Sequence, residues 1–510
     1  MNRRSAQWRC STALLLLGVL GCASCATPLT PGYGIERERI EVHYVPGSPP
    51  HLAVRAEYLL NNLGNGALTS VAVVLPGKTP YGMQNLRVEM GGQRISGAST
   101  SRENAEASSE EEIELPFDPP WAMRQKRSLG IQYDLDAPAG GDAAGAVDRG
   151  YFYLPSSSFP EFQAPKILFA HDVERPIRMD FTLRVPHNFL LHAAGSPART
   201  RHHGGETEWH YRIGRRDPDP FVIAGAYEEQ VVKASTVEVA FWTFEPIPTD
   251  AVNAARTRLT ATLAAYTDAF GPLSKPPLKV WIVRARSATD QSPSNSGPAW
   301  GGGFPDGLLV NEGAFPGGVQ SEDFLSTAET ALAQLWIGAR VRIRPEAELV
   351  LTDGFDKYAT ILAAEARGGA SERHREVESV LRAYDRARNE AVDEPLSQIT
   401  IGDPLKQRLI AYDRASLFFI ALEDTYGEAE IRRGIARLVS ALRGNAVGLS
   451  DLRAALEQEA GKNMADFFRV WLNQPGIPDD FRKRYEVEAP KRNAESGPQA
   501  KQRRASFSDF

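Results

Sequence analysis

The sequence predicts an α+β protein of several domains: an N-terminal antiparallel β domain, then a domain that begins as α/β and becomes mainly helical at its C-terminal end. Three observations predict it. Residues 35–235 consist of short apolar and β-branched runs separated by Gly/Pro turns. A strand and a long helical segment follow directly. Beyond Glu322 nearly every segment has a helical pattern, and 510 residues are enough for two or three separate cores.

The β domain is predicted to be a sandwich or a saddle-like sheet, because its strands are short and regularly interrupted by turns. The predicted strands are His51–Leu60, Ser70–Leu75, Leu86–Met90, Gln93–Ile95, Ser128–Leu135, Tyr151–Leu154, Met179–Val185, Thr207–Ile213 and Phe221–Tyr227. Gly91-Gly92 indicates a hairpin. The acidic stretch Ser109–Glu114 is interpreted as a solvated loop and Ala137–Gly145 as a flexible connection. His202 and His203 adjoin a Gly-Gly pair, which favours a turn over a pair of metal ligands.

The second domain, residues 236–485, is predicted to start with the strand Val237–Phe244 and a helix that Thr249 or Asp250 caps. Gly271, followed by a proline, ends that helix. The segment Ala299–Asn311 is predicted to be a Gly-rich turn that leads into a short strand. The remaining predicted elements are the strand Leu278–Val283 and the helices Glu322–Gly338, Gly354–Arg367, Glu376–Glu390, Tyr412–Thr425, Ala429–Leu442, Leu449–Glu459 and Met464–Asn473. Residues 486–510 have the composition of a disordered tail.

The first residues have the pattern of a secretory signal peptide. Arg3, Arg4 and Arg9 precede an apolar run from Thr12 to Leu20, which is too short to span a membrane comfortably. No later segment approaches the roughly 20 apolar residues of a transmembrane helix. We therefore expect residues 1–22 to be a signal peptide, residues 23–34 to be a linker, and the body of the chain to be exported.

All three cysteines, Cys10, Cys22 and Cys25, lie in this leader. The run Val19–Cys22 (VLGC) resembles the lipobox of bacterial lipoproteins, which implies lipidation at Cys22 and an anchor on a membrane surface. Ordinary cleavage after Ala26 is the alternative. The expected location is the cell envelope, with the body in the periplasm or at the surface, and the residue after Cys22 slightly favours the outer membrane.

Composition and charge exclude several classes of function. The chain is 42% hydrophobic and 24% charged, with a formal net charge of −6, and no basic face alternates with aromatic residues. A nucleic-acid partner is therefore not expected. No G-x-S-x-G elbow is present, and no cysteine beyond the leader could serve as a nucleophile.

Four sequence runs in the second domain carry a common resemblance. Thr330–Gly338 (TALAQLWIG) is followed by Leu351–Tyr358 (LTDGFDKY), and Asp353 lies nineteen positions after Gln334. Further on come Tyr412–Ala415 (YDRA) and a helix that reads FFRVW, with Gly-Ile-Pro after it. In this order and spacing they resemble the aminopeptidase N (membrane alanyl aminopeptidase) family of zinc metallopeptidases, of the gluzincin type. The resemblance covers roughly residues 35–485 and implies a thermolysin-like α/β peptidase-type fold for the second domain.

The resemblance also implies a zinc site that this chain departs from. The family carries H-E-x-x-H on one helix and a Glu ligand within W-L-x-E-G-x-A-x-Y on the next, with a tyrosine of Y-x-K-G/A stabilising the tetrahedral intermediate. Here Thr330 and Gln334 stand at the two His positions, and Ala331 stands at the general base. Asp353 and Tyr412 keep the chemical type of the third ligand and of the tyrosine. The remnant site offers only weak oxygen ligands, so we expect neither zinc nor any other cofactor.

The family's substrate loop, G-x-M-E-N, has also changed. Gly302, Gly303, Phe304 and Asp306 occupy the corresponding region, with Phe304 where the amine-binding Glu belongs. Asp306 or Glu312 could replace that carboxylate if the register slips by a few residues. The alternative is a tight turn that needs glycine dihedral angles.

Three functional hypotheses follow. The first is a non-catalytic pseudopeptidase that binds a peptide or protein partner in the cleft between its domains. The second is a hydrolase with a rearranged site, using Asp353, Tyr412 and Glu365 without zinc. The third is a structural scaffold of the cell envelope whose old cleft is filled by side chains. Fold analogy alone does not decide among them.

Overall fold

The structure is a computed structural model. It describes residues 32–76, 82–95, 98–99, 110–136, 146–147, 150–163, 178–214, 220–233, 238–273, 278–283, 301–304, 307–311, 318–399, 405–442 and 445–485. The predicted signal peptide, Cys22, most of the predicted linker, Ala137–Gly145 and the C-terminal tail therefore lie outside the described residues. None of the described helices is long and apolar enough to cross a membrane.

The N-terminal half is built from short strands, as the turn-rich sequence predicts. They are β1 (Tyr33–Val45), β2 (His51–Asn62), β3 (Leu68–Pro76), β4 (Met83–Met90), β5 (Gln93–Ile95), β6 (Ala98–Ser99), β7 (Glu110–Trp121), β8 (Lys126–Asp136), β9 (Ala146–Val147), β10 (Tyr151–Leu154), β11 (Glu161–Gln163), β12 (Arg178–Pro186), β13 (Leu190–Ala193), β14 (Ser196–His203), β15 (Glu206–Gly214) and β16 (Val222–Gly225). The first of them begins inside the predicted linker.

Eight of these strands form one large sheet in the order β14-β15-β12-β1-β2-β8-β4-β5. Its pairs are antiparallel except for β1 and β12, which run parallel. Along β1 the side chains alternate: Ile40, Val42 and Tyr44 are buried, whereas Arg39 and Glu41 are exposed. This two-residue period gives the sheet one apolar face and one charged face.

The apolar face is covered by two four-stranded sheets, β13-β16-β10-β9 and β11-β3-β7-β6. All three sheets contribute to one hydrophobic cluster. Aromatic contacts join them: the rings of Tyr58 and Phe162 are 4.7 Å apart, edge to face, and Tyr44 stacks on Phe152 at 5.9 Å. The result is a sandwich-like β domain with a shared core.

The second half begins with a five-stranded sheet and continues into helices. The strands are β17 (Glu228–Lys233), β18 (Glu238–Thr243), β19 (Leu278–Val283), β20 (Gly301–Phe304) and β21 (Gly307–Asn311), in the order β17-β18-β19-β21-β20, and a small pair β22 (Arg342–Ile343) and β23 (Ala446–Val447) follows. The helices are α1 (Thr249–Phe270), α2 (Glu322–Ala333), α3 (Phe355–Arg388), α4 (Leu405–Tyr426), α5 (Glu428–Ala441), α6 (Leu449–Ala460), α7 (Ala465–Asn473) and α8 (Asp479–Arg484). β18 and β19 are parallel and joined through α1, which is a βαβ unit.

Several helix boundaries differ from the sequence prediction. The cap of α1 is Pro248, not Thr249 or Asp250, while Gly271 at φ 85° ends that helix as predicted. α2 stops at Ala333 rather than at Gly338. The helices predicted at 354–367 and 376–390 form one helix, α3, with a kink at Gly369, where φ is 70°. A π-helical segment, Leu349–Gly354, leads directly into α3.

Two predicted loops are strands. Glu110–Glu114, interpreted as part of a solvated loop, pairs with β3 and buries Ile113. The glycine run at Gly301 forms β20, which pairs with β21. His202 and His203 end the strand β14 rather than forming the turn, which follows at Gly204 with φ 60°. The Nδ1 of His202 is 3.1 Å from the Oγ1 of Thr207 on the paired strand.

An aromatic cluster joins the β domain to the five-stranded sheet. It contains Tyr151 of β10, Tyr227, Trp242 of β18 and Trp281 of β19. The imidazole of His192 on β13 stacks on the indole of Trp281, with ring centroids 4.7 Å apart. This cluster fixes the β domain against the start of the second domain by dense aromatic packing.

Candidate functional site

The end of α2 carries the residues that stand at the family's first motif. Thr330 is half-buried and its hydroxyl donates to the backbone oxygen of Ser326, one turn earlier. Ala331 is fully buried in the core. Gln334 lies just after the helix, where the chain turns towards Gly338 at φ 108°. Ala331 therefore offers no polar group at this point, and the hydroxyl proton of Thr330 is already used within α2.

Gln334 is held at both ends of its amide. Its Oε1 accepts a 2.8 Å hydrogen bond from the backbone N–H of Gly303 on β20. Its Nε2 donates to the Oδ2 of Asp356, at 2.6 Å. The amide thus ties the edge strand of the five-stranded sheet to the start of α3, and its polar atoms are already used by the protein itself.

Two aspartates follow one another along the chain at this site. Asp353 lies in the π-helical segment and is half-buried, and burial raises the pKa of its carboxyl, with Arg408 opposing the shift. Asp356 is 3% exposed, and burial raises its pKa well above the usual range, although the bond from Gln334 opposes this. The Oδ1 of Asp356 has no partner among the described residues. Burial in surroundings of low dielectric constant favours the neutral form of both carboxyls.

α4 supplies the opposite wall. Tyr412 is half-buried, and burial raises the pKa of its phenol, with Asp356 and Asp353 adding to the shift. Arg408 lies one helical turn before Tyr412 and therefore on the same face of α4. Burial raises the pKa of both Asp353 and Glu348, and the charge of Arg408 opposes this rise. The Nε of Arg408 is buried and has no partner in the described part of the chain.

Small residues allow these elements to approach one another. A Cβ on Gly354 would lie 2.4 Å from the Cβ of Ala415, so only glycine lets the π-helical segment touch α4. A Cβ on Gly303 would lie 2.3 Å from the backbone oxygen of Ala331. Gly354 and Ala415 must therefore both be small for the two elements to pack. Their contact brings Asp353, which precedes Gly354, close to Tyr412.

Two buried or half-buried carboxylates near these elements belong to other clusters. Glu329, next to Thr330, accepts hydrogen bonds from Arg258 at 2.9 Å, Arg367 at 2.6 Å and Thr262 at 2.7 Å. It is 2% exposed and belongs to a structural ion cluster between α1, α2 and α3. Glu365 accepts from Arg432 at 3.0 Å. Neither carboxylate is grouped with Gln334 and Asp356.

The site residues do not fit zinc. Its ligand set would be a hydroxyl, an amide and a carboxyl, and the hydroxyl and the amide are already hydrogen-bonded within the protein. Zinc prefers imidazole and thiolate, and its ligands must be free to coordinate. Among the described residues no group of three or more His, Cys, Asp or Glu could hold a metal ion.

The substrate-loop remnant is only partly described. Gly302 and Gly303 lie in β20, whose register pairs Gly303 with Leu308. The backbone of Phe304 ends that strand, whereas Asp306 and Glu312 lie outside the described residues. Gly303 is the member of this loop that contacts the remnant site, through its backbone N–H.

Comparison with known proteins places this arrangement in a structural context. No protein-family model matches the chain, and no curated protein matches it in sequence. Solved structures do match. The M1 zinc metallopeptidase from Deinococcus radiodurans covers 88% of this chain and 95% of its own, at 17% identity and a TM-score of 0.57. This chain has the fold of the M1 zinc metallopeptidases.

Two further structures support the same fold. A mutant of the Deinococcus enzyme, with one glutamate replaced by alanine and Tyr-Ser-Ala bound as substrate, matches at 17% identity and a TM-score of 0.57, over 88% of this chain and 96% of its own. A two-domain M1 zinc metallopeptidase, mutated in the same way and bound to L-arginine, matches at 16% identity and a TM-score of 0.58, over 88% and 95% of the two chains. The predicted architecture, an antiparallel β domain followed by a peptidase-type domain that becomes helical, is confirmed.

Two residues of the site were missed from the sequence. Asp356 stands where the motif W-L-x-E-G-x-A-x-Y has alanine, and this departure was a usable signal. It pairs with Gln334, so the changed residue on α2 and the changed residue on α3 satisfy each other. Arg408 gave no signal, because it lies before the predicted start of its helix.

Proposed function

We propose that this chain is a pseudopeptidase of the bacterial cell envelope: a lipid-anchored protein that binds a peptide or protein partner in the cleft between its domains and does not hydrolyse it. The observation that carries the proposal is the amide of Gln334, which is bonded to Gly303 and Asp356 where the related motif has a metal-binding imidazole. Ala331 stands at the position of the general base, and its methyl side chain could not activate water.

Binding without hydrolysis is supported by the chemistry that remains. Asp353, Arg408 and Tyr412 are half-buried polar groups on two facing elements, and they suit the charged and hydrogen-bonding groups of a peptide. The Deinococcus enzyme in which a glutamate is replaced by alanine was solved with Tyr-Ser-Ala bound. A fold of this kind therefore holds a peptide without that carboxylate.

Metal analysis and an enzyme assay test the loss of catalysis. We expect no stoichiometric zinc in protein purified without chelator, and no aminopeptidase turnover with or without added zinc. Bound zinc together with turnover that a chelator abolishes would refute the proposal and favour the hydrolase with a rearranged site.

Peptide binding needs its own measurement. Calorimetric titration with Tyr-Ser-Ala is expected to show binding that Asp353→Asn weakens. The matched control is Asp466→Asn, because the side chain of Asp466 is 94% exposed on α7. Absence of binding to this and to longer peptides would instead favour the envelope scaffold.

Rebuilding the motif tests the resemblance at the level of side chains. Thr330→His, Ala331→Glu, Gln334→His, Asp353→Glu and Asp356→Ala together restore the family pattern and remove the carboxyl that now pairs with Gln334. We expect this variant to bind zinc stoichiometrically. If it folds and does not bind zinc, the two helices do not keep the spacing of a gluzincin site.

The lipid anchor is tested separately. Cys22→Ala is expected to release the protein from membranes into the soluble envelope fraction, since a lipid chain holds the body only through that residue. Unchanged membrane association of this variant would exclude lipidation at Cys22 as the anchor.

A further inference from the structure

The charged face of the eight-stranded sheet contains a groove that is separate from the remnant site. It has a volume of about 1000 Å³ and crosses seven strands, from β14 to β4. Its lining includes seven arginines, against four acidic residues and two histidines. Because the whole chain carries a net charge of −6, a groove rich in arginine contrasts with the rest of the molecule.

The strand register aligns a continuous row of side chains across this groove. From one side to the other it consists of Arg199, His210, Thr182, Glu41, Arg55, Gln132 and Arg87, one from each strand. With neighbouring strands roughly 4.8 Å apart, the row is about 29 Å long. An arginine therefore stands at each end and a third lies in between.

The acidic side chains and the arginines of the groove differ in whether they have hydrogen-bond partners. Glu208 accepts hydrogen bonds from Arg184 at 2.8 Å and from His210 at 2.9 Å, and the pKa of its carboxyl is lowered chiefly by Arg184. Asp134 accepts from Asn85 at 2.7 Å. In contrast, four exposed arginines have no hydrogen-bond or ion-pair partner among the described residues: Arg39, Arg87, Arg199 and Arg212.

The two outer strands of the groove are bent beside these arginines. The register shifts between Gln84 and Arg87 on β4, where Asn85 has φ 55°, and between Pro197 and Arg199 on β14. A β-bulge redirects the side chains that follow it. Both terminal arginines of the row thus lie directly after an irregularity at the margin of the groove.

The lining favours one class of ligand. The residues Tyr133, Phe181 and Tyr211 are at most 5% exposed and face the core, so the groove lining offers no phenyl, phenol or indole ring to stack on bases. A peptide brings one backbone N–H donor for each residue. The groove is dominated by donors, and Glu41 is its one exposed carboxylate without a partner among the described residues.

We propose that this groove binds a linear acidic polysaccharide. Its planar carboxylates match the forked donors of arginine, which bind carboxylates in a bidentate manner. Between the arginines, Gln132, Thr182 and Asn85 supply amide and hydroxyl groups for sugar hydroxyls. This binding function is additional to that of the remnant site, and neither depends on the other.

Calorimetric titration of the full-length protein with an oligogalacturonate long enough to span about 29 Å tests the proposal. We expect binding that weakens with added salt, and no binding of a neutral maltooligosaccharide of the same length. The double variant Arg87→Gln/Arg199→Gln is expected to bind at least about ten-fold more weakly, since two charge-assisted hydrogen bonds are lost. Arg37→Gln, an exposed arginine on β1 outside the groove, is the matched control and should bind as the wild type does.

Any of four results would overturn the proposal. The first is no binding of the oligogalacturonate, and the second is equal binding of the neutral sugar. The third is tighter binding of an oligoglutamate peptide or of single-stranded DNA, either of which would identify another class of partner. The fourth is an affinity that does not depend on the groove: either the control variant loses as much affinity as the double variant, or the double variant keeps its affinity and its melting temperature. The groove would then not be the binding site.

Discussion

His192 makes the contact between the β domain and the five-stranded sheet sensitive to acid. Its imidazole stacks on Trp281, and burial, together with the charge of Lys279, lowers its pKa from 6.5 to about 3. The folded state thus resists protonation that the unfolded chain accepts. Stability is therefore lost as the pH falls from about 6.5 towards 3, because the unfolded state binds more protons in that range.

The size of this effect follows from the two pKa values. With 6.5 in the unfolded chain and about 3 in the folded protein, lowering the pH from 7 to 4 removes about 3 kcal/mol from the free energy of unfolding. His192→Gln does not titrate, so this part of the pH dependence should be missing. The variant should be less stable than the wild type at pH 7, through loss of the ring stack, and the gap should close or reverse at pH 4.

Urea denaturation of both proteins between pH 4 and pH 7, followed by circular dichroism, measures the difference. The contributions of the other titrating groups cancel in the difference between the two unfolding free energies, since both proteins share these groups. Parallel curves, with a difference in unfolding free energy that does not vary by more than about 1 kcal/mol, would contradict the argument, because His192 would then titrate alike in the folded and unfolded states.

Three further predictions concern the second domain. Glu423 has a fully buried side chain and accepts from Tyr358 and Arg373, so Glu423→Ala should cost about 3–5 kcal/mol in urea denaturation. The control is Glu430→Gln, which changes a partly exposed carboxylate bonded to Arg433 and should shift the urea midpoint far less. Gly303→Ala places a Cβ 2.3 Å from a backbone oxygen and should cost about 1–3 kcal/mol, whereas Gly205→Ala, with nothing within 4 Å, should leave the melting temperature almost unchanged. Burial raises the pKa of Asp413 from 3.8 to about 7, so the folded state binds more protons than the unfolded state between these pH values, and stability falls as the pH rises through this range. Asp413→Asn should abolish this loss of roughly 4 kcal/mol. An unaltered pH profile of the variant would contradict the prediction.

Local signals in the sequence predicted elements whose boundaries are set locally. The strand Tyr151–Leu154 and the hairpin at Gly91-Gly92 agree with the structure, since apolar alternation and glycine dihedral angles act within a few residues. Gly271 ends α1 for the same reason. The fold class followed from the order of such elements along the chain.

Elements set by distant partners were not predictable in this way. Gly301–Phe304 has turn composition, yet it is an edge strand, because α2 packs so closely that position 303 has no room for a side chain. Glu110–Glu114 is a strand because it pairs with β3 and places Ile113 in the core. Tertiary packing overrides local propensity in both segments.

The candidate site shows the same limit. The spacing of nineteen residues predicts that Gln334 and Asp353 belong to one site. The structure places the elements that carry them side by side. The spacing could not reveal that Gln334 bonds to Asp356, because that bond depends on how α2 ends and how the π-helical segment turns. Side-chain pairing across two elements is a property of the fold and not of either segment.

The pairing of Gln334 with Asp356 bears on the proposal that the site holds no metal. A histidine replaced by glutamine alone would leave an amide in the half-buried site without a protein partner, which costs free energy. Here the amide oxygen binds the N–H of Gly303, and its nitrogen binds a carboxyl at a position where the related motif has alanine. The two departures therefore compensate each other energetically. Compensation of this kind stabilises the arrangement without a metal. We therefore expect that a histidine at position 334 alone would not create a zinc site, because it would still face a buried carboxyl at 356 and no second imidazole at 330.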